Sequence, residues 1–282
     1  MGGDSSSVAE LLMMGNVQIV VTDTAFAAIK DNGSIVTWGA WNRGGDSTAV
    51  ATLLAEGVVQ VCGNTGAFAA RKSNGSVVTW GYTFSNGISS VIAPLLAKDG
   101  VSICATSVNA FAAIKANGSL VTWGSQFFGG DSSNVAPLLT EGIVQVCGTN
   151  GACAALLANG SVVTWGNDEE GGDSSKVATL LTEGVVQVYN NYYAFVALKA
   201  DGSVAIWGCD ACQKGDVQIC GSGGAFVAIK SGGSVVTWGD DWGGDSSEVA
   251  AFLTEGVVHI CGGEMAFAAL QLIATLRTAP NI

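Results

Sequence analysis

The stretch that decides the fold is "VVQVCGNTGAFAARKSNGSVVTWG", Val58 to Gly81. It reads as three short strands. Val58 to Gly63 and Ala67 to Lys72 are apolar runs separated by an Asn-Thr-Gly turn, and Ser76 to Gly81 is rich in β-branched and aromatic residues. The last two runs are joined by Asn-Gly, a strong short-range hairpin signal because both central residues of a type I′ turn need positive φ.

Working outward, the same phrase returns. The small-residue run recurs around Phe26, Phe68, Phe111, Cys153, Phe195, Phe226 and Phe267, at spacings of 42, 43, 42, 42, 31 and 41 residues. The run ending in Trp-Gly recurs at Trp38, Trp80, Trp123, Trp165, Trp207 and Trp238, while the stretch near residue 279 reads "ATLRTAP" and has lost the pattern. Between units lies a connector, "GGDSSxVAxLLxEG", starting at Gly2, Gly44, Gly129, Gly171 and Gly243. It is altered at Asn86 and nearly absent before Asp216. The connector reads as a short helix capped by Asp or Ser, with Gly after the last turn. Asp245 and Glu248 have capping-box spacing.

Three strands and a short helix cannot bury their own faces. Stacked radially, such units bury one another. The expectation is all-β with short connector helices: one seven-bladed β-propeller over residues 1–282, about three strands per blade, the last blade incomplete. The repeats run approximately 2–43, 44–85, 86–128, 129–170, 171–214, 215–242 and 243–282. A β-solenoid is the alternative. With alternating strand directions, the turn after the first strand and the loop after each Trp-Gly share one face, and the Asn-Gly-Ser turns lie on the other.

These residues resemble the propeller repeat of the regulator of chromosome condensation family. The three-strand form is similar to propeller-type β-lactamase inhibitor proteins, and the "GGDSS" dialect to repeats of unicellular algae. The likeness spans essentially the whole chain. It departs at Gly66, where the family has His, and where "GGDSS" replaces Gly-Gln-Leu-Gly. The resemblance implies the fold and a habit of binding proteins. The Gly-Trp-Arg-His-Thr motif of the plant photoreceptor with this fold is absent.

Composition narrows the function. Charged residues make up 12%, net charge is −12, and eleven Lys and Arg are scattered singly. Mean hydropathy is +0.42. Nucleic-acid binding needs clustered cations, so none is expected. No apolar run approaches the ~18 residues of a spanning helix, and no basic-then-apolar leader is seen. An intracellular location, cytoplasmic or organellar with a plastid included, is the expectation.

Cys62, Cys104, Cys147, Cys220 and Cys261 share one seat of the repeat, taken by Val20 and Tyr189 in the other two units. Interchange with Val marks a packing position. Cys209 and Cys212 stand where the connector is missing, as a candidate disulfide clipping that loop, with free thiols the alternative. A zinc site lacks a second pair of ligands. The five Asp-Ser runs of the connector, including Asp4-Ser5 and Asp46-Ser47, suit caps better than nucleophiles or a calcium ring. His259, the one histidine, takes the seat of Gln18, Gln60, Gln145, Gln187 and Gln218. Four Asn-Gly-Ser sequons, at Asn32, Asn74, Asn117 and Asn159, read first as turns. No catalytic residue, cofactor or metal is expected, and no enzyme.

The informative positions are where the repeat breaks. After Trp-Gly the loops diverge: "AWNR" with Trp41, "YTFS" with Tyr82 and Phe84, "SQFF" with Phe127 and Phe128, "NDEE" with Asp168 to Glu170, and "DDW" with Trp242. The fifth turn adds Tyr192 and Tyr193. Aromatics flanked by carboxylates have the composition of an interface centre and rim. The expected function is a non-enzymatic interaction propeller binding protein through that face. The alternative is a permanent subunit of a large complex, docked on a membrane or in a plastid. An exchange factor or enzyme inhibitor comes a distant third. Against all of these stands the plainer reading that the rings fold back over the connectors.

Overall fold

The computed structural model describes residues 4–13, 15–82, 100–208, 218–221, 225–229, 234–239, 245–255, 257–262 and 267–271. Within them the chain forms twenty strands. The first sheet holds β1 (Asn16–Val21), β2 (Ala25–Lys30) and β3 (Ile35–Gly39), and the second β4 (Val58–Gly63), β5 (Ala67–Lys72) and β6 (Val77–Gly81). The third holds β7 (Gly100–Ser107), β8 (Ala110–Lys115) and β9 (Leu120–Gly124), and the fourth β10 (Ile143–Gly148), β11 (Ala152–Leu157) and β12 (Val162–Gly166). The fifth holds β13 (Val185–Asn190), β14 (Phe195–Lys199) and β15 (Val204–Trp207), and the sixth β16 (Gln218–Gly221), β17 (Ala225–Ile229) and β18 (Val235–Gly239). The seventh pairs β19 (Val257–Gly262) with β20 (Phe267–Gln271). Every pairing is antiparallel between chain neighbours, and each sheet is its own meander. The fold is all-β and of the propeller class. The altered stretch near residue 279 lies outside the described residues.

Alternation along the second strand explains how the sheets stack. In β5, Ala67 and Ala69 face the third sheet, where they pack with Ile103, Phe111 and Trp123. Phe68 and Ala70 face the first sheet and pack with Ala25, Ala27 and Ile29. Each buried ring therefore sits on a small-residue strand, and the arrangement repeats for Phe195 on Ala152 and Ala154. The ring also stacks on the Trp opposite it in the same sheet. Phe26–Trp38, Phe68–Trp80, Phe111–Trp123 and Phe195–Trp207 have centroids 5.1–5.6 Å apart. Such pairs add to the area they bury. The repeated tryptophans among these are core, as their seats suggested.

Polar groups fasten one sheet to the next. The indole Nε1 of Trp80, Trp165 and Trp207 donates to the carbonyls of Gly44, Gly129 and Gly171 at 2.9–3.0 Å. The corresponding acceptor for Trp123 is Gly87, outside the described residues. Gln60 Nε2 donates to Ile103 O at 2.8 Å, and its Oε1 accepts from Ile103 N at 3.3 Å. Gln145 makes the same pair with Val188. The glutamine seat is thus an inter-sheet fastener.

The connectors differ from expectation. The stretches Thr48–Val50, Ser133–Leu138, Ser175–Leu180 and Ser247–Phe252 are 3₁₀ helices, and only Ala9–Leu12 is α-helical. A 3₁₀ turn rises further per residue, so few residues span the sheet, and one turn of α-helix has little stability of its own. Capping is shared between two residues. Asp46, Asp131, Asp173 and Asp245 each accept a backbone N–H two residues on. The following Ser hydroxyl pairs at 2.9 Å with the Thr of the Thr-Trp-Gly strand, as in Ser47–Thr37 and Ser174–Thr164. The Glu248 side chain of the expected capping box lies outside the described residues.

Candidate functional site

Hydrogen bonds fix which loops share a face. Ala40 N donates to Thr24 O, Ser125 N to Asn109 O and Asn167 N to Gly151 O, each at 2.9 Å. The loop after each Trp-Gly therefore lies on the turn after the first strand of the same sheet. Those turns are also joined between sheets: Asp23 N donates to Thr65 O at 3.3 Å and Asn150 N to Tyr192 O at 2.8 Å. At the opposite end the hairpin glycines cap the next sheet, with Val58 N donating to Gly33 O and Ile143 N to Gly118 O at 2.9 Å.

The backbone of the post-Trp loop is constant while its side chains vary. Trp41–Arg43, Gln126–Phe128 and Asp168–Glu170 are each one 3₁₀ turn followed by a left-handed glycine, Gly44, Gly129 or Gly171. The last carbonyl of each turn is held by a hydroxyl: Arg43 O by Thr22 at 3.2 Å, Phe128 O by Ser107, and Glu170 O by Thr149 at 2.8 Å. Three unrelated tripeptides are thus presented by one scaffold.

The side chains fall into two groups. Around the first two sheets, Trp41 is 76% exposed. The Arg43 guanidinium lies 5.0 Å from the centroid of the half-buried Tyr82 ring. Around the third to fifth sheets, Phe127 is 72% exposed and Phe128 half-buried. Tyr192 and Tyr193, 42% and 45% exposed, meet edge to face at 6.3 Å. The exposed rings do not fold back over the connectors as the plainer reading required. Phe84, Trp242, Cys209 and Cys212 lie outside the described residues.

Two hollows flank the acidic loop. One, of about 670 Å³, is lined by Asp168, Glu169, Asp173, Lys176, Tyr193 and Trp207. The other, of about 450 Å³, includes Phe127, Asp131, Asn134 and Asp168. Asp168 borders both. Glu170 Oε2 is enclosed against Gly151 without a hydrogen-bond partner, and burial, then the neighbouring Glu169, pushes its carboxyl above the usual range. Arg43 over Tyr82 and the double role of Asp168 were not singled out from sequence. The basic residue in the otherwise aromatic "AWNR" was the available signal.

The thiols are packing groups among the described residues. Cys62, Cys104, Cys147 and Cys153 are free. Burial pushes Cys104 up to about 11 and Cys153 up to about 12, and raises Cys62 and Cys147 further. Cys153 occupies the ring seat of the fourth sheet, against Ala112 of the third.

No family model matches the chain, and no curated protein matches it. Solved structures do resemble it in fold. Human WBSCR16 aligns with TM-score 0.53 at 12% identity, over 92% of this chain and 87% of its own. Prp20p of Saccharomyces cerevisiae aligns at 0.52 and 14%, over 92% and 83%. The ectodomain of the Physcomitrella patens receptor kinase CR4 aligns at 0.51 and 13%, over 92% and 71%. At these identities the likeness is one of fold, and the fold it gives this chain is that of the β-propeller class.

Proposed function

We propose that this chain is a non-enzymatic protein-interaction domain that binds its partner through the face carrying the post-Trp loops. The supporting observation is the constant backbone under variable, exposed side chains. Thr22, Ser107 and Thr149 fix the loops, so Trp41, Phe127 and Asp168–Glu170 are free to differ without cost to the scaffold. Rigid presentation lowers the entropy lost on binding. Exposed aromatics beside a polar rim suit the centre of an interface.

The acidic loop between Phe127 and Tyr193 favours a partner segment bearing Arg or Lys, which would meet carboxylates and ring faces together. Similar folds are found in binding roles: yeast RCC1 (Prp20) has been solved bound to Kap60. The test is capture from a native extract followed by size-exclusion chromatography, comparing the wild-type chain with a Trp41→Ala/Tyr193→Ala variant. Loss of one defined partner supports the reading, and unchanged recovery removes it. Co-elution in one large stoichiometric particle would make the chain a permanent subunit instead.

A further inference from the structure

The first sheet carries an apolar face that its counterparts bury. Val61, Ile103 and Val188 occupy one seat in the first strands of the second, third and fifth sheets and are 4%, 2% and 2% exposed, whereas Ile19 in the same seat is 56% exposed. Phe26 is partly exposed where Phe68, Phe111, Phe195 and Phe226 are fully buried. Leu12 is likewise partly exposed where Leu54, Leu139 and Leu181 are buried. On its other side the first sheet is fully engaged, since Ala25, Ala27 and Ile29 receive Phe68 and Val61 of the second.

The chemistry that covers such a face is known from the molecule itself. The second, third and fifth sheets dock this seat and its ring on the Ala-x-Ala strand of the sheet before. The strand that would precede the first sheet has the same pattern, for β20 reads Phe267-Ala-Ala-Leu-Gln and places Ala268 and Leu270 in the seats of Ala27 and Ile29. The chain's own seventh sheet is described, and Ile19 is still open to solvent.

We propose that the open face of the first sheet is an interaction surface for the seventh sheet of a second copy of this chain, continuing the sheet-to-sheet packing head to tail. The contact is heterologous, so each copy offers one donor end and one acceptor end. Ile19→Lys places a charge on the acceptor face and leaves the donor end intact.

Sedimentation velocity of the full chain across a hundredfold concentration range tests this. The wild type forms species of two or more copies as concentration rises. Ile19→Lys alone stays monomeric with an unchanged thermal midpoint. Added to the wild type in excess, it caps the growing species and shortens them. A wild type that stays monomeric throughout overturns the proposal: a large fall in the midpoint of Ile19→Lys would then assign the face to the chain's own seventh sheet, and an unchanged midpoint would leave it bare. Association that persists in Ile19→Lys, or wild-type species that it does not cap, also overturns it.

Discussion

Gly44→Ala tests the stacking of the sheets in one substitution. Gly44 has φ +97°, and a Cβ there would stand 2.5 Å from Phe68 Cδ2 and 2.8 Å from Cε2. Phe68 is fully buried and stacked on Trp80 at 5.2 Å, whose indole N–H is held by the Gly44 carbonyl. The ring has no free space to yield into. Two costs combine: a left-handed Ala, about 1–2 kcal/mol, and overpacking of a tight core, about 1–3 kcal/mol. Gly142 separates them. It has φ +73°, and its Cβ would meet nothing within 4 Å, so Gly142→Ala carries only the backbone cost. Equilibrium urea unfolding followed by Trp fluorescence should show Gly44→Ala less stable than Gly142→Ala by about 1–3 kcal/mol. Combining Gly44→Ala with Phe68→Leu should recover part of the difference, as neighbours in contact are non-additive. Equal losses in the two alanine variants, or strict additivity with Phe68→Leu, would refute the packing described.

Other outcomes follow from the same contacts. Gln60→Ala leaves the edge groups of Ile103 without their partner and should cost about 1–3 kcal/mol in urea unfolding, while a hydrophobic isostere such as Gln60→Met should not restore it. Cys104 sits near 11 in the folded chain against 9.0 as the ordinary value. The unfolded chain therefore releases this proton first, and stability should be full below about pH 9 and fall toward pH 11; Cys104→Ala should flatten that fall. Asp173 is held below its ordinary 3.8 by the Ser175 N–H, then the Ser175 hydroxyl. Its contribution is present above that value and is lost as pH falls through the lower, folded one. In acid titrations followed by circular dichroism, Asp173→Ala should remove that component.

The sheets were legible because each strand carries its own signal: Asn-Gly between apolar runs predicts the hairpin, and the recurring Phe and Trp predict a shared ring seat. The polar fasteners were not legible. Gln60 alternates with apolar neighbours like any half-exposed strand residue, and only the approach of the next sheet turns its amide into a partner for Ile103. The connector was misjudged for a physical reason, since Val and Leu at helical spacing fit α and 3₁₀ over a single turn. Leu54 N shows the ambiguity directly, donating to both Val50 O and Ala51 O at 3.2 Å. The exposure of Ile19 had no signal at all, because the repeat writes the first unit like the others while its neighbour differs. At the loop face the exposed rings of Trp41 and Phe127 stood out as breaks in the repeat. The Arg43–Tyr82 contact joins two units and could not be read from either alone.

The account's central claim, that one loop face binds protein, is tested most directly by a quantitative comparison of faces. The partner captured by the wild-type chain is titrated against Trp41→Ala/Tyr193→Ala and against Asn74→Ala, which alters an exposed Asn-Gly-Ser turn at the opposite end. Truncating aromatic anchors typically costs ~2 kcal/mol or more, so the account predicts at least a tenfold loss of affinity for the loop-face variant and little change for Asn74→Ala. Affinity retained by the first and lost by the second would place the binding surface at the other end of the sheets and contradict it.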